Sequence, residues 1–265
     1  MTARGGVLMY HDVLGHAASG CSGPGAAVYK LSRETFAAHL CALRTAFPQG
    51  PAVCCTSSAL NADAPFMLTF DDGGCSAIEV ATLLEAIGWR GHFFVTSDWI
   101  GKPGFLSSAA IRALHQQGHV VGSHSATHPA VLSALTPCEL ALEWSRSTMR
   151  LSDVLGAAVT TGSVPGGYFS REVAATAAQA GIEILWTSEP GVRVRAMEGV
   201  KLLGRFAIYH DTLPWEAVAL AGARPWSQRR QSLAWLARKP AKVLLGGLYP
   251  RVRQQLLAWS SDRHG

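Results

Sequence analysis

The sequence predicts an α/β protein whose strands form a distorted (β/α) barrel of about seven strands. Three observations support this prediction. Short apolar segments alternate with helical ones over most of the chain, and no internal repeat interrupts them. The 265 residues are enough to bury a full core. Of these residues 48% are hydrophobic and 15% are charged, a balance that excludes a disordered chain.

Seven short apolar segments are typical of buried strands, and turn residues bound most of them. Their spacing leaves room for a helix after most strands, which favours parallel pairing. In chain order the predicted strands are 7–10, 66–70, 92–96, 120–122, 160–164, 182–187 and 202–209.

Helix signals lie between the strands. The clearest is Thr136-Pro137-Cys138-Glu139, which combines a capping box with proline at the first helical position. Serines mark the other starts, and glycines mark most of the ends. The predicted helices begin near Ser32, Ser76, Ser107 or Ser108, Thr136 and Ser170, and end near Ala46, Gly88, Gly118, Gly156 and Gly181.

The net charge of +5 is unevenly distributed along the chain. Residues 224–265 carry nine Lys or Arg and one acid, whereas residues 1–223 carry 14 bases and 17 acids. We therefore predict a barrel over residues 1–223 and a basic, Trp-rich helical tail over residues 224–265. The acidic body argues against a nucleic-acid partner. The tail has the pattern of amphipathic helices that either pack on the barrel or lie on an anionic membrane surface.

The N-terminal sequence, the apolar runs and the cysteines indicate the cellular compartment of the protein. The first ten residues do not resemble a signal peptide, and no apolar run is long enough for a membrane span. The six cysteines are scattered and form no Cys-x-x-Cys pair, so we expect reduced thiols. These features predict a cytoplasmic protein, peripheral at the inner face of the membrane if the tail binds lipid.

Two adjacent carboxylates end the second predicted strand. Thr69-Phe70-Asp71-Asp72 is followed by two glycines, which permit a sharp turn. In this arrangement one carboxylate could bind a metal while its neighbour accepts or donates a proton. An N-cap and turn for the next helix would also explain Asp-Gly at this place.

A pair of histidines follows the fourth predicted strand. His124 and His128 are four residues apart, so on a helical turn they would face the same way. Imidazole suits Zn and neighbouring divalent metals, although such a pair can also be an ordinary polar loop. Together with Asp72 they would make a site of two histidines and one carboxylate.

These two motifs together resemble the polysaccharide deacetylase family, which is carbohydrate esterase family four with the NodB-homology domain. The resemblance covers roughly residues 7–212 and implies a distorted (β/α) barrel. It implies Asp72, His124 and His128 as ligands of a divalent metal, Zn first, with Co, Mn or Ni as alternatives. It also implies Asp71 as the general base.

The third family motif, Arg-x-Pro-aromatic-Gly, is divergent in this chain. Ser163 stands where the arginine is usual, and Gly166 stands at the aromatic position. The family's arginine orients the base, so we hypothesise that Arg205 supplies the missing charge. A solvated charge at a strand edge is the alternative for Arg205. The Gly166 amide is the implied oxyanion donor.

The last family motif implies a general-acid histidine, for which His210 fits best and His11 is the alternative. The implied reaction removes an acetyl group from an N-acetylated sugar or glycan intermediate, which could be linked to a carrier. A catalytically degenerate carbohydrate-binding barrel and an amidase acting on a non-sugar substrate are the alternatives. The oligomeric state is not predicted.

Overall fold

The computed structural model describes residues 5–14, 19–21, 24–58, 60 and 65–245. Most strands are fully buried, as expected of a parallel sheet covered on both faces. In chain order the strands are β1 (Val7–Tyr10), β2 (Asp12–Leu14), β3 (Lys30–Ser32), β4 (Met67–Phe70), β5 (His92–Val95), β6 (Val120–Ser123), β7 (Thr161–Ser163), β8 (Ile184–Trp186), β9 (Arg195–Met197), β10 (Val200–Leu203) and β11 (Phe206–Ala207).

The helices begin and end close to the predicted signals. Ser32, Ser107, Thr136 and Ser170 each accept a hydrogen bond from the first turn of the helix that follows. The helices are α1 (Pro24–Ala27), α2 (Arg33–Ala46), α3 (Ala77–Glu85), α4 (Ser108–Gln116), α5 (Pro137–Leu155), α6 (Arg171–Gln179), α7 (Pro214–Ala221) and α8 (Pro225–Leu245).

One sheet of nine strands organises the described part of the chain, in the order β11-β1-β4-β5-β6-β7-β8-β10-β9. All neighbours are parallel except β9 and β10. Only Gly204 and Arg205 separate β10 from β11, yet these strands lie near opposite ends of the sheet. Because so short a link spans only about 10 Å, the sheet must curl into a nearly closed barrel. This confirms the predicted fold class.

The predicted strand 202–209 is wrong as a single element, because it is divided between β10 and β11. A side chain at Gly204 would collide with the Glu189 carbonyl oxygen, since a Cβ there would lie 2.3 Å from it. The backbone turns at this close approach, and Arg205 points inward. This division and the antiparallel strand β9 raise the count above seven.

Large apolar side chains fill the barrel interior. Phe94 of β5 and Trp186 of β8 have ring centroids 5.9 Å apart, although two strands separate β5 from β8. Both rings therefore meet across the interior, where Met67 and Leu203 join the same cluster. This packing leaves the carboxyl ends of the strands as the place for polar side chains.

The predicted tail begins at residue 224, one residue before α8, and the structure describes it as far as residue 245. Helix α7 packs against α2, and α8 follows α7 after a short turn. The division into two domains stays a prediction. None of the helices in the described part of the chain is long and apolar enough to cross a membrane.

Candidate active site

Asp71 and Asp72 lie at the carboxyl end of β4, where the backbone turns sharply. The amide of Asp71 still donates to the Tyr10 carbonyl of β1 (3.0 Å). Asp72 then adopts a positive φ of 77°, which is unusual for a residue with a side chain, and Gly73 follows with φ 81°. Backbone strain of this kind is concentrated at functional sites. Here it accompanies two adjacent carboxylates that are both buried.

Asp72 faces two imidazoles. Its Oδ1 lies 3.4 Å from His124 Nε2 and 3.5 Å from His128 Nε2. Within the described residues this buried oxygen has no hydrogen-bond partner. An unpaired buried carboxylate oxygen is costly, and a cation held between the three groups would satisfy it. The donor set of one carboxylate and two imidazoles fits a divalent transition metal.

A hydrogen bond orients His124 toward this position. Its Nδ1 lies 3.0 Å from the carbonyl oxygen of Ser163, to which it can only donate. The Nε2 lone pair is then available on the side of Asp72, as in metal-binding histidines whose other nitrogen is held by a carbonyl. The His128 ring stacks on Trp99 at a centroid distance of 5.2 Å. Both rings therefore have fixed orientations.

The expected helical turn between the two histidines is wrong, because this segment is an irregular loop. Ser125 and His128 have positive φ values of 61° and 56°. Glu143 of α5 accepts hydrogen bonds from the amides of Ala126 (3.0 Å) and Thr127 (2.9 Å). Side-chain bonds to the backbone compete with helix formation, and here they hold the loop in another conformation.

Arg205 holds the neighbouring carboxylate, that of Asp71. Its Nη1 donates to Asp71 Oδ1 (2.6 Å) and its Nη2 to Asp71 Oδ2 (2.8 Å). Nε donates to the carbonyl of Thr187, and Nη2 also to the hydroxyl of Ser163 (2.7 Å). The side chain is fully buried, so it is not a solvated strand-edge charge. A bidentate pair of this kind fixes both the charge and the orientation of the carboxylate.

The electrostatics favour the ionised form of Asp71. Burial raises the pKa of this carboxyl, but the charge and the hydrogen bonds of Arg205 lower it, and the result is below the ordinary value. Asp71 Oδ2 lies 4.0 Å from His124 Nε2. The carboxylate is therefore charged and lies beside the candidate metal position.

Gly166 and His210 are the other two predicted site residues. Gly166 is in the turn Pro165–Gly167 directly after β7, with φ 62°. His210 follows β11 and is exposed, with its backbone amide donating to the Val28 carbonyl (3.0 Å). The structure thus brings together Asp71, Asp72, His124, His128 and Arg205, and leaves the side chain of His210 at the surface.

His11 is the histidine that the sequence indicated as the alternative general acid. It follows β1 directly, and its ring lies 4.4 Å from that of Tyr29. Within the described residues its buried Nδ1 has no hydrogen-bond partner. It interacts electrostatically with both Asp71 and Asp72, and this interaction favours the ionised form of each carboxyl. His11 is therefore electrostatically coupled to the two carboxylates of the site.

Two functional neighbours were not predicted as such. Glu143 lies between Leu140 and Trp144 on the buried side of α5, and an acid on an apolar helix face is a signal that could have found it. Cys21 gives no comparable signal. Its thiol interacts with Asp72, and burial, together with the charges of Asp72 and Asp12, raises its pKa to about 12.

Comparison with known proteins agrees with this geometry. Residues 61–185 match the family model described as polysaccharide deacetylase. The chain therefore resembles the polysaccharide deacetylase family over just under half of its length. It is 25% identical over 195 residues to YxkH of Bacillus subtilis (strain 168), whose name refers to the same family; the match covers 71% of this chain and 66% of YxkH.

Solved structures of the family share the fold. A polysaccharide deacetylase from Bacillus cereus superposes with a TM-score of 0.68 at 20% identity, over 79% of this chain and 66% of that one. The Streptococcus pyogenes deacetylase PplD, solved in complex with acetate, gives 0.69 at 18% identity, over 83% and 99%. The chain thus spans just under two thirds of YxkH and of the Bacillus cereus protein.

Proposed function

We propose that this chain is a metal-dependent deacetylase that hydrolyses the acetamide of an N-acetylated sugar in a glycan or a glycan intermediate. One observation carries the proposal: a charged Asp71, held by Arg205, lies 4.0 Å from the Nε2 of His124, which also faces Asp72. A base beside a metal position is the arrangement that metal-assisted hydrolysis requires.

The metal ligands in this proposal are Asp72, His124 and His128. Zn suits this donor set best, and Co, Mn or Ni are alternatives. When bound, the ion would polarise the acetyl carbonyl and lower the pKa of an attacking water. Asp72 and Asp71 supply two negative charges, and Arg205 neutralises one of them.

Asp71 acts as the general base in the proposed reaction. Its ionised carboxylate takes the proton from water as the water attacks the acetyl carbon, and Arg205 prevents the carboxylate from rotating away. The backbone amide of Gly166 would donate to the oxyanion that develops. Both groups lie at the carboxyl ends of their strands, β4 and β7.

The leaving amine needs a proton donor. His11 suits this role better than His210, because its ring is partly buried and is electrostatically coupled to Asp71 and Asp72. His210 is exposed, and the hydrogen bonds described for it involve its backbone alone. Replacing each histidine by Gln separates the two assignments: turnover should fall strongly in His11→Gln and little in His210→Gln.

The proposal is tested with the full chain loaded with Zn, by measuring the acetate released from N-acetylglucosamine oligomers. Asp71→Asn should bind the metal but lose turnover by about a hundredfold or more. His124→Ala should lose both metal and turnover. Asp98→Asn and His115→Ala are matched controls, because these side chains lie outside the site and their loss should change neither.

Two other results would favour a different function. Stoichiometric metal with no acetate release from any acetylated sugar would favour a catalytically degenerate carbohydrate-binding barrel. Turnover of small non-sugar amides in preference to the oligomers would favour an amidase. Wild-type turnover in Asp71→Asn would reject the role of the base.

A further inference from the structure

Helix α8 is attached to the barrel by polar side chains. Gln231 accepts a hydrogen bond from the Ala207 amide (3.1 Å) and donates one to the Ala207 carbonyl (2.8 Å), so it covers the open edge of β11. Ser227 is buried and donates to the carbonyl of Ala219 (3.2 Å). A helix on a soluble protein usually buries its apolar face instead.

The outward face of α8 carries large exposed apolar side chains. Trp226, Leu233 and Leu236 are 50%, 66% and 53% exposed. They are seven and three residues apart, a spacing that places them on one side of the helix. Trp215 of α7 is 54% exposed and extends this surface, with its ring 5.8 Å from that of Trp226. We call these four side chains the docking face.

Basic side chains lie among those of the docking face. Arg224, Arg229 and Arg230 are exposed. Between residues 213 and 236 the sequence has three arginines and a single acid, Glu216, which is paired with Arg230. A second copy of this chain would bring like charges together, which disfavours self-association. An anionic surface would complement both the apolar and the basic side chains.

The direction of α8 relates this face to the candidate active site. The end of α7 lies at the start of β1, since the Gly6 amide donates to the Ala221 carbonyl. From there α8 rises to Ala207, the last residue of β11. The helix therefore advances toward the strand ends that carry Asp71 and His124.

We propose that the docking face binds an anionic phospholipid surface, with Trp215, Trp226, Leu233 and Leu236 entering the interface and the arginines contacting lipid phosphates. Helix α8 would then lie on the membrane without crossing it. The proposal does not depend on deacetylase activity. It would bring the site to acetylated sugars carried by lipids.

The test is co-sedimentation of the full chain with vesicles of phosphatidylcholine alone and of phosphatidylcholine mixed with phosphatidylglycerol. We expect binding to the mixed vesicles that weakens with salt. The double variant Leu233→Glu/Leu236→Glu should lower partitioning about tenfold or more. Leu142→Glu/Met149→Glu is the matched control, because these exposed apolar residues lie on α5 and should not matter.

A charge variant makes the test independent of the leucines. Arg224→Gln/Arg229→Gln should reduce binding to anionic vesicles by about fivefold for each arginine, whereas Arg112→Gln on α4 should not. Equal partitioning to both vesicle types, or unchanged binding of the leucine variant, would overturn the proposal. A dimer in light scattering that Leu233→Glu/Leu236→Glu dissociates, without vesicle binding, would assign the face to a second copy instead.

Discussion

Arg205 donates a parallel pair of hydrogen bonds to the carboxylate of Asp71, 2.6 and 2.8 Å long, from a fully buried position between β10 and β11. The arginine reaches this carboxylate from a strand end far from the divergent third motif in sequence. Ser163, at the usual place of that arginine, donates to Asp71 and accepts from Arg205. Three side chains thus form one network around the proposed base.

Replacement of Arg205 should change the pH dependence of turnover. In Arg205→Ala the burial that raises the pKa of Asp71 remains while the opposing charge is lost, so this pKa should rise. A base must be deprotonated, so the acid limb of kcat/KM against pH should move to higher pH. Arg205→Lys keeps a charge but not the planar fork, and should show a smaller shift. An unmoved limb in both variants would show that Arg205 does not tune the base.

Loss of the Arg205 guanidinium should also destabilise the fold, by about 3–5 kcal/mol, because it leaves Asp71 buried without its partner. Urea denaturation gives the free energy of unfolding for each variant. Arg195→Ala is the matched control, since its bond to Glu189 lies at the surface and its loss should cost about 1 kcal/mol or less. A similar small cost for both arginines would contradict the prediction.

Exchange of residues 163 and 205 tests whether either position can supply the charge. Ser163→Arg alone should lower the free energy of unfolding by about 3 kcal/mol or more, because a second guanidinium would be buried without a carboxylate. Ser163→Arg/Arg205→Ser restores one arginine and one hydroxyl beside Asp71. We expect the double variant to be more stable than Ser163→Arg. A loss equal to the sum of both single effects would show that the positions are not equivalent.

The barrel and its polar end could be predicted because local signals mark them. A few consecutive residues are enough to recognise an apolar strand, a serine cap or the Asp71-Asp72 pair. The conformation of the loop that holds His128 could not be predicted from local signals, because it depends on Glu143, a residue of α5. The split at Gly204 likewise depends on a close approach to Glu189. Contacts between residues distant in sequence decided both features.

Glu143 should act as a positioning residue for the metal. Glu143→Gln keeps one acceptor but loses the charge that holds the amides of Ala126 and Thr127, so the affinity for Zn should fall about 10–100-fold. Turnover at saturating Zn should stay near that of the wild type. Glu139→Gln on the same helix is the control, since it alters only the exposed cap at Thr136. Chelator competition measures the affinity, and equal affinities in both variants would exclude this role.

Stability of the metal-free chain should decrease in mild acid, and His39 should account for part of the loss. This ring is buried between the Tyr10 hydroxyl (3.2 Å) and the Thr212 carbonyl (2.8 Å). Burial lowers its pKa, although the bond to Thr212 opposes the shift.

Because the pKa of His39 is lower in the folded chain, the unfolded chain binds more protons below about pH 6.5. The free energy of unfolding is therefore at its full value above that pH and decreases below it. Urea denaturation at about pH 5 and about pH 7.5 should show a smaller pH difference for His39→Gln than for the wild type. The difference that remains should come from His119 and His128, because burial also lowers the pKa values of these two histidines. The exposed His115→Gln should leave the difference unchanged, and an equal difference in His39→Gln would show that His39 does not contribute.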